Sequence, residues 1–213
     1  MSENLTTELP EKQKVLGQYL TVQAVALCPE IRLWLIGGHV DLNARCQELL
    51  DGGYAPYWAF AWGAGQALAR FVLDNPSEVS DKRVVDFGAG SGVAAIAAAR
   101  AGAREVIAVD TDPRALRFVT LNAQLNSVKV SVASKLPDEW DVMLVADVLY
   151  ELPNYQWLMA FAREGREVLV GDPQRPGNPR LDISPVARMQ VRTQPDVDYP
   201  MCQASIYRFS KTD

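Results

Sequence analysis

Three acids and a run of glycines are spaced as a small-molecule site would need them. In Val84-Val85-Asp86-Phe87-Gly88-Ala89-Gly90-Ser91-Gly92 a β-branched run leads into an acid, then glycine at every second position, then an alanine-rich stretch. Glycine carries no Cβ, so the chain can turn sharply after a strand and let a ligand lie against bare backbone. The helix that follows offers unpaired N–H groups at its start. Asp110 ends the next apolar run, about twenty residues past the turn, where nucleoside-binding α/β folds place an acid for the ribose hydroxyls. A third polar run, Asp147-Val148-Leu149-Tyr150-Glu151, follows residues 142–146 at the carboxyl end of an expected central strand, where open α/β sheets bind ligands.

The glycine spacing separates two ligands. A dinucleotide fingerprint wants glycine at its first, third and sixth positions; here the sixth is Val93, and the third glycine comes one residue early at Gly92. With Asp86 just ahead of the turn, the arrangement suits S-adenosylmethionine, whose amino-acid end needs partners for an ammonium and a carboxylate. Asp86, Gly88, Gly90, Gly92 and Asp110 are the expected cofactor residues, with Ala146 at the end of the central strand beside them. Asp112-Pro113 reads instead as the cap and first position of a helix. Trp58 and Trp62 fall at helical spacing, which suits a core-facing stripe; a flat indole can also wall a ligand. Trp62 is the candidate for the cofactor wall, and Tyr57 with Trp58 for the acceptor entrance, joined by Glu151. Asp147 and Tyr150 are the candidate catalytic pair, the carboxylate orienting an amine and the phenol shaping its channel. A turn cap is the competing role for Asp147.

These residues need a scaffold that brings strand ends together. From residue 83 onward short β-branched runs alternate with alanine-rich helical stretches, as in a parallel sheet with crossover helices. Strands are expected at 83–87, 105–109, 128–132, 142–146 and 167–170, and helices at 63–73, 93–101, 113–125 and 154–162. Residues 187–193 and 203–209 read as an antiparallel pair closing the sheet. Ahead of this, residues 15–27, 29–36 and 42–50 show apolar positions at roughly helical spacing. The expected division is therefore a tail and helical cap over 1–55 and a catalytic α/β domain over 56–213.

Composition removes several function classes. With 213 residues, 48% hydrophobic and 22% charged, the chain has an ordinary globular balance, and its net charge of −5 argues against a broad grip on nucleic acid. Cys28, Cys46 and Cys202 lack the paired spacing of zinc or redox sites, and the single His39 has no evident partner, so no metal is expected. The first fourteen residues lack the basic-then-apolar layout of a secretory signal, and no apolar stretch is long enough for a bilayer span. A cytoplasmic monomer with reduced thiols and no membrane partner is the expectation.

At these motifs the chain resembles the class I, seven-strand S-adenosylmethionine-dependent methyltransferases, a Rossmann-like fold. Asp147-Val148-Leu149-Tyr150 matches the Asp-x-x-Tyr signature that a group of protein-lysine methyltransferases carries after its fourth strand. The chain is most similar to the group acting on the β subunit of electron transfer flavoprotein, through Pro56-Tyr57-Trp58-Ala59-Phe60, Trp62 with residues 65–70, residues 73–76, and Gly171-Asp172-Pro173-Gln174-Arg175-Pro176. The resemblance implies methyl transfer to a lysine amine on a protein, with that subunit as partner. Alternatives are a small-molecule, nicotinamide-like N-methyltransferase, a ribosomal-protein methyltransferase, and a cofactor-binding module without catalysis.

Overall fold

A computed structural model describes residues 17–38, 40, 56–177, 179–196 and 201–210. Seven strands form one sheet: β3 (Arg83–Phe87), β4 (Glu105–Val109), β5 (Ser131–Ala133), β6 (Val142–Ala146), β7 (Glu167–Asp172), β8 (Ala187–Val191) and β9 (Cys202–Phe209). Their order is β5-β4-β3-β6-β7-β9-β8. The first five run parallel, while β9 pairs antiparallel with both β7 and β8. Helices α1 (Gly63–Asp74), α2 (Val93–Arg100), α3 (Pro113–Leu125) and α4 (Leu152–Arg163) provide the crossovers and cover the faces. This is the expected α/β architecture with its antiparallel closing pair.

Strand alternation builds two cores. In β3, Val84 packs on the face covered by α1 and α2, and Val85 on the face covered by Leu158 of α4. Successive side chains point to opposite faces, so a β-branched run serves both layers at once. The strand expected over 128–132 shrinks to three residues. Val128 N–H donates to Ala123 O at 3.1 Å, which draws that residue into the turn closing α3.

The amino-terminal region corrects the expected helical extension. Residues 20–24 and 32–36, read above as helical, form strands β1 (Leu20–Ala24) and β2 (Arg32–Ile36), an antiparallel hairpin. The burial period is two: Leu33 and Leu35 are fully buried while Arg32 is exposed. Pro29 supplies no donor and biases Cys28 away from helical torsions, so the chain turns there. Three backbone bonds join residues 25, 28 and 31 across that turn. The helix expected at 42–50 and His39 lie outside the described residues.

The hairpin is held by asparagine side chains of α3. The Trp34 N–H donates to Asn122 Oδ1 at 2.8 Å and the Arg32 N–H to Asn126 Oδ1 at 2.9 Å. Alternate edge donors of a strand lie roughly 6.8 Å apart, close to the roughly 6 Å rise between i and i+4 on a helix. Asn122 Nδ2 also donates to Ser91 O at 2.9 Å, inside the glycine turn. Asn122→Ala should therefore unpair Trp34 N–H and Ser91 O together and lower unfolding stability by about 2 kcal/mol, read from urea melts.

Candidate active site

The glycine turn leaves β3 with all three alternate glycines in the left-handed region, at φ of 69°, 51° and 79° for Gly88, Gly90 and Gly92. Their neighbours differ. A Cβ on Gly88 would meet Val148 Cγ1 at 2.7 Å, and one on Gly92 would press on Val119 at 3.1 Å. At Gly90 the nearest atom would be Gly88 O at 4.0 Å, so this backbone faces open space that a ligand can occupy. The turn is tied to β4 because the Gly88 and Ala89 N–H groups both donate to Val109 O, at 2.9 and 3.0 Å.

Asp110, at the tip of β4, accepts from Gly90 N–H at 2.9 Å through Oδ2 and from Asp112 N–H at 2.9 Å through Oδ1. A partly buried carboxylate thus stands against the open glycine, as a ribose-binding acid must. Asp112 caps α3 by accepting from Arg114 N–H at 2.8 Å, with Pro113 in the first turn. Bare backbone at Gly90 with an adjacent carboxylate fits the nucleoside of S-adenosylmethionine.

Asp86 sits behind this turn. It is 2% exposed, and Oδ2 accepts from Ala95 N–H of α2 at 2.9 Å. This bond ties the end of β3 to the first turn of α2, so Asp86 buttresses the glycine turn. Burial pushes its carboxyl up to about 7; the Ala95 bond works against this and Asp110 adds to it.

Asp147 follows β6 with φ of 53°. Its N–H donates to Gly171 O at 3.1 Å. Its side chain is 8% exposed and takes a two-pronged ion pair from Arg175: Nε to Oδ1 at 3.0 Å and Nη2 to Oδ2 at 2.6 Å. The Arg175 guanidinium lies 5.7 Å from the Trp62 ring centre, and Trp62 Nε1 donates to Tyr57 O at 2.9 Å. Trp62, the expected cofactor wall, thus lies against the guanidinium that pairs with Asp147. Tyr57 and Tyr150 are 61% and 57% exposed. The Tyr150 phenol is raised above its ordinary range by partial burial first, then by Glu151, Asp147, Tyr57 and Asp110, so it remains a donor. Ala146 pairs with Gly171 at the ends of β6 and β7, and the exposed Glu151 precedes α4.

Trp58 corrects the expectation of an acceptor wall. It is 1% exposed, with its ring stacked on Phe118 at 3.9 Å, in the cluster that joins Leu20 and Ile36 to Ala115. Tyr57–Ala59 is a single 3₁₀ turn and Phe60 is extended, so Trp58 and Trp62 do not share one helix face. Two residues were not singled out individually in the sequence: Arg175, and Asp172 at the end of β7. Asp172 is buried, which raises its carboxyl; Gln174 N–H and Arg175 oppose the rise and Asp147 adds to it. Their position just past a central parallel strand is the signal that identifies them.

Two outcomes test this geometry. Gly90→Val would fill the open space and adopt a torsion that costs an L-residue about 1 kcal/mol; calorimetry should show no S-adenosylhomocysteine binding by a chain that still melts cooperatively. Asp86 has a folded value of about 7 against an ordinary 3.8, so the stability it contributes is full below the unfolded value and is lost as pH rises through the folded one. Urea midpoints of the wild type should decline across that window, and Asp86→Asn should remove this decline.

Known proteins match this arrangement. A family model described as ribosomal protein L11 methyltransferase matches residues 61–155. The electron transfer flavoprotein beta subunit lysine methyltransferase of Xenopus laevis is 37% identical over 88% of this chain and 78% of its own. The human protein of that name is 41% identical over 71% of this chain, which spans 62% of its length. A ribosomal protein L11 methyltransferase of Vibrio cholerae is 43% identical over 55% of this chain and 40% of its own. Among solved structures, a putative RNA methyltransferase from Pyrococcus horikoshii has a TM-score of 0.54 at 20% identity, covering 69% of this chain and 82% of its own. Magnesium protoporphyrin IX methyltransferase from Synechocystis, solved with bound cofactor, has a TM-score of 0.54 at 13% identity, covering 82% and 86%. These last two share the fold alone. The open glycine turn with its facing acid, and the extent of the match to the Xenopus protein, place the chain in the electron transfer flavoprotein beta subunit lysine methyltransferase family of S-adenosylmethionine-dependent enzymes.

Proposed function

We propose that the protein methylates a lysine ε-amine on the β subunit of electron transfer flavoprotein. The observation that carries this reading is Asp147, a carboxylate at the carboxyl end of β6, flanked by the exposed phenols of Tyr57 and Tyr150. An acceptor held on a long side chain can reach such a rim. A small pyridine would need an enclosed pocket, which ranks the nicotinamide-like reading lower. The ribosomal-protein reading has support from the L11 family model, but that match covers residues 61–155 and stops short of Arg175.

The amine must arrive with a free lone pair. That pair forms the N–C bond as the S–C bond of the sulfonium breaks, S-adenosylhomocysteine leaves, and the new ammonium returns its extra proton to water. Alignment of the reacting atoms and exclusion of water supply most of the rate. Asp147 and Tyr150 orient the amine; Asp110 and the glycine turn hold the cofactor. The domain assigned to catalysis is 56–213. The proposal includes action as a cytoplasmic monomer on a protein, without nucleic acid or membrane, in keeping with net charge −5 and the free Cys28 and Cys202. Among the described residues, no helix is long and apolar enough to cross a membrane.

Labelled S-adenosylmethionine should be offered with purified flavoprotein β subunit, ribosomal protein L11 and nicotinamide in parallel. Mass spectrometry is expected to find methyl-lysine on the flavoprotein subunit; label on L11 or nicotinamide alone would reverse the assignment. Asp147→Ala should lower kcat/KM for the protein substrate by about two orders of magnitude or more, with S-adenosylhomocysteine affinity near that of the wild type. Unchanged turnover would remove Asp147 from the reaction.

A further inference from the structure

A carboxylate beside the acceptor creates a problem that the rest of the site must solve. Alone, Asp147 would raise the pKa of an approaching lysine and hold it as an ammonium. An ammonium cannot attack the sulfonium. Arg175 stands where it can answer this. Its Nε and Nη2 take one site on each Asp147 oxygen, at 3.0 and 2.6 Å. Guanidinium stays charged throughout the working range of an enzyme, and its planar fork matches a carboxylate. Each carboxylate oxygen has a second lone-pair direction, which leaves acceptor capacity for a neutral amine.

The pair is built in rather than a loose surface bridge. The Asp147 side chain is nearly buried and the Arg175 side chain about two-thirds buried. Trp62 supports the guanidinium from one side, and the Asp147 N–H is anchored on Gly171 O. Among the described residues, charged and titratable groups coupled to the pair or to the neighbouring Tyr150 come from several elements. Asp172 ends β7, Tyr150 and Glu151 follow β6, Asp110 ends β4, Tyr57 precedes α1, and Cys202 opens β9. Within this set the other charged groups are acids, and Arg175 is the cation.

We propose that Arg175 is a positioning residue for methyl transfer, which neutralises Asp147 so that the carboxylate orients the lysine amine without holding it protonated. The proposal rests on the lysine methyltransferase reading of the site. It is distinct from a bracing role, in which Arg175 would only hold the loop after β7 in place. A brace changes how much active enzyme there is. A charge partner changes the pH at which the amine becomes reactive.

The test measures kcat and KM against pH with the flavoprotein β subunit as substrate, for the wild-type chain, Arg175→Gln, Arg175→Lys and Asp147→Asn. Arg175→Gln leaves the carboxylate uncompensated, so the acid limb of the kcat profile should move up by about one pH unit or more. At neutral pH kcat should fall about tenfold for each unit of that shift, while KM does not rise. Arg175→Lys keeps the cation and loses the fork, so its limb should stay near the wild-type position at reduced amplitude. Asp147→Asn removes the carboxylate that would hold the amine protonated while Arg175 stays in place, so its limb should move down; this decides the matter should Arg175→Gln fail to fold. A uniform loss of rate in Arg175→Gln with the limb in place would overturn the proposal, as would an unmoved limb in Asp147→Asn. Absence of transfer by the wild-type chain would overturn the substrate reading and this role within it together. Wild-type transfer with unmoved limbs would overturn the role of Arg175 alone.

Discussion

Parallel registration of the central strands is the constraint on which the site depends. Phe87 of β3 lies level with Val109 of β4 and Val145 of β6, and Ala146 lies level with Gly171 of β7. Chains that leave neighbouring parallel strands at one level must turn on one edge. Gly88, Asp110, Asp147 and Arg175 therefore meet there although they come from four separate stretches of sequence. Backbone bonds carry the register into the loops: Val109 O receives two N–H groups of the glycine turn, and Gly171 O receives that of Asp147. The site is an extension of the sheet ladder, which makes it rigid without metal or disulfide among the described residues.

The same residue type does different work along this edge because its surroundings differ. Asp86 is buried and accepts from the Ala95 N–H, and burial dominates, pushing its carboxyl up to about 7. Asp110, less buried, engages two backbone donors and links the glycine turn to the start of α3. Asp147 is nearly buried and receives a guanidinium fork, which offsets part of the cost of enclosing a carboxylate. Asp172, enclosed at the end of β7, shares the field of that pair. The acids along this edge thus differ by environment: one supports the turn, one faces the open glycine, and one is held by a guanidinium.

The amino-terminal hairpin is part of this machinery. Asn122 joins β2 to the glycine turn through one side chain that accepts from Trp34 and donates to Ser91. Gln194 fastens the other strand by accepting from Ala26 N–H and donating to Ala24 O. Leu20 and Ile36 share a cluster with Trp58 and Phe118. The Trp58 indole is thus consumed by packing the hairpin on α3, while Trp62 lies against the Arg175 guanidinium.

Much of the fold was legible in the sequence because its signals are local. β-branched runs at 83–87, 105–109 and 142–146 became the strands they suggest, and glycine at 88, 90 and 92 marked positions where φ must be positive. That Asp110 stands at the end of the next strand, facing the turn, was readable from its distance to the turn. The hairpin was misread because, over five residues, apolar spacing fits a strand as well as a helix, and only packing against α3 decides between them. The Asp147–Arg175 pair spans 28 residues and the Trp34–Asn122 bond 88. Such contacts leave no periodic trace, since they exist only once the sheet has brought strand ends together. The sequence by itself determined the glycine turn, the acid beside it and the order of alternating elements, all set by local torsion and burial period. Tertiary structure decided which indole packs and which lies against a guanidinium, which carboxylate is enclosed and pushed up and which is paired, because those outcomes depend on neighbours distant along the chain.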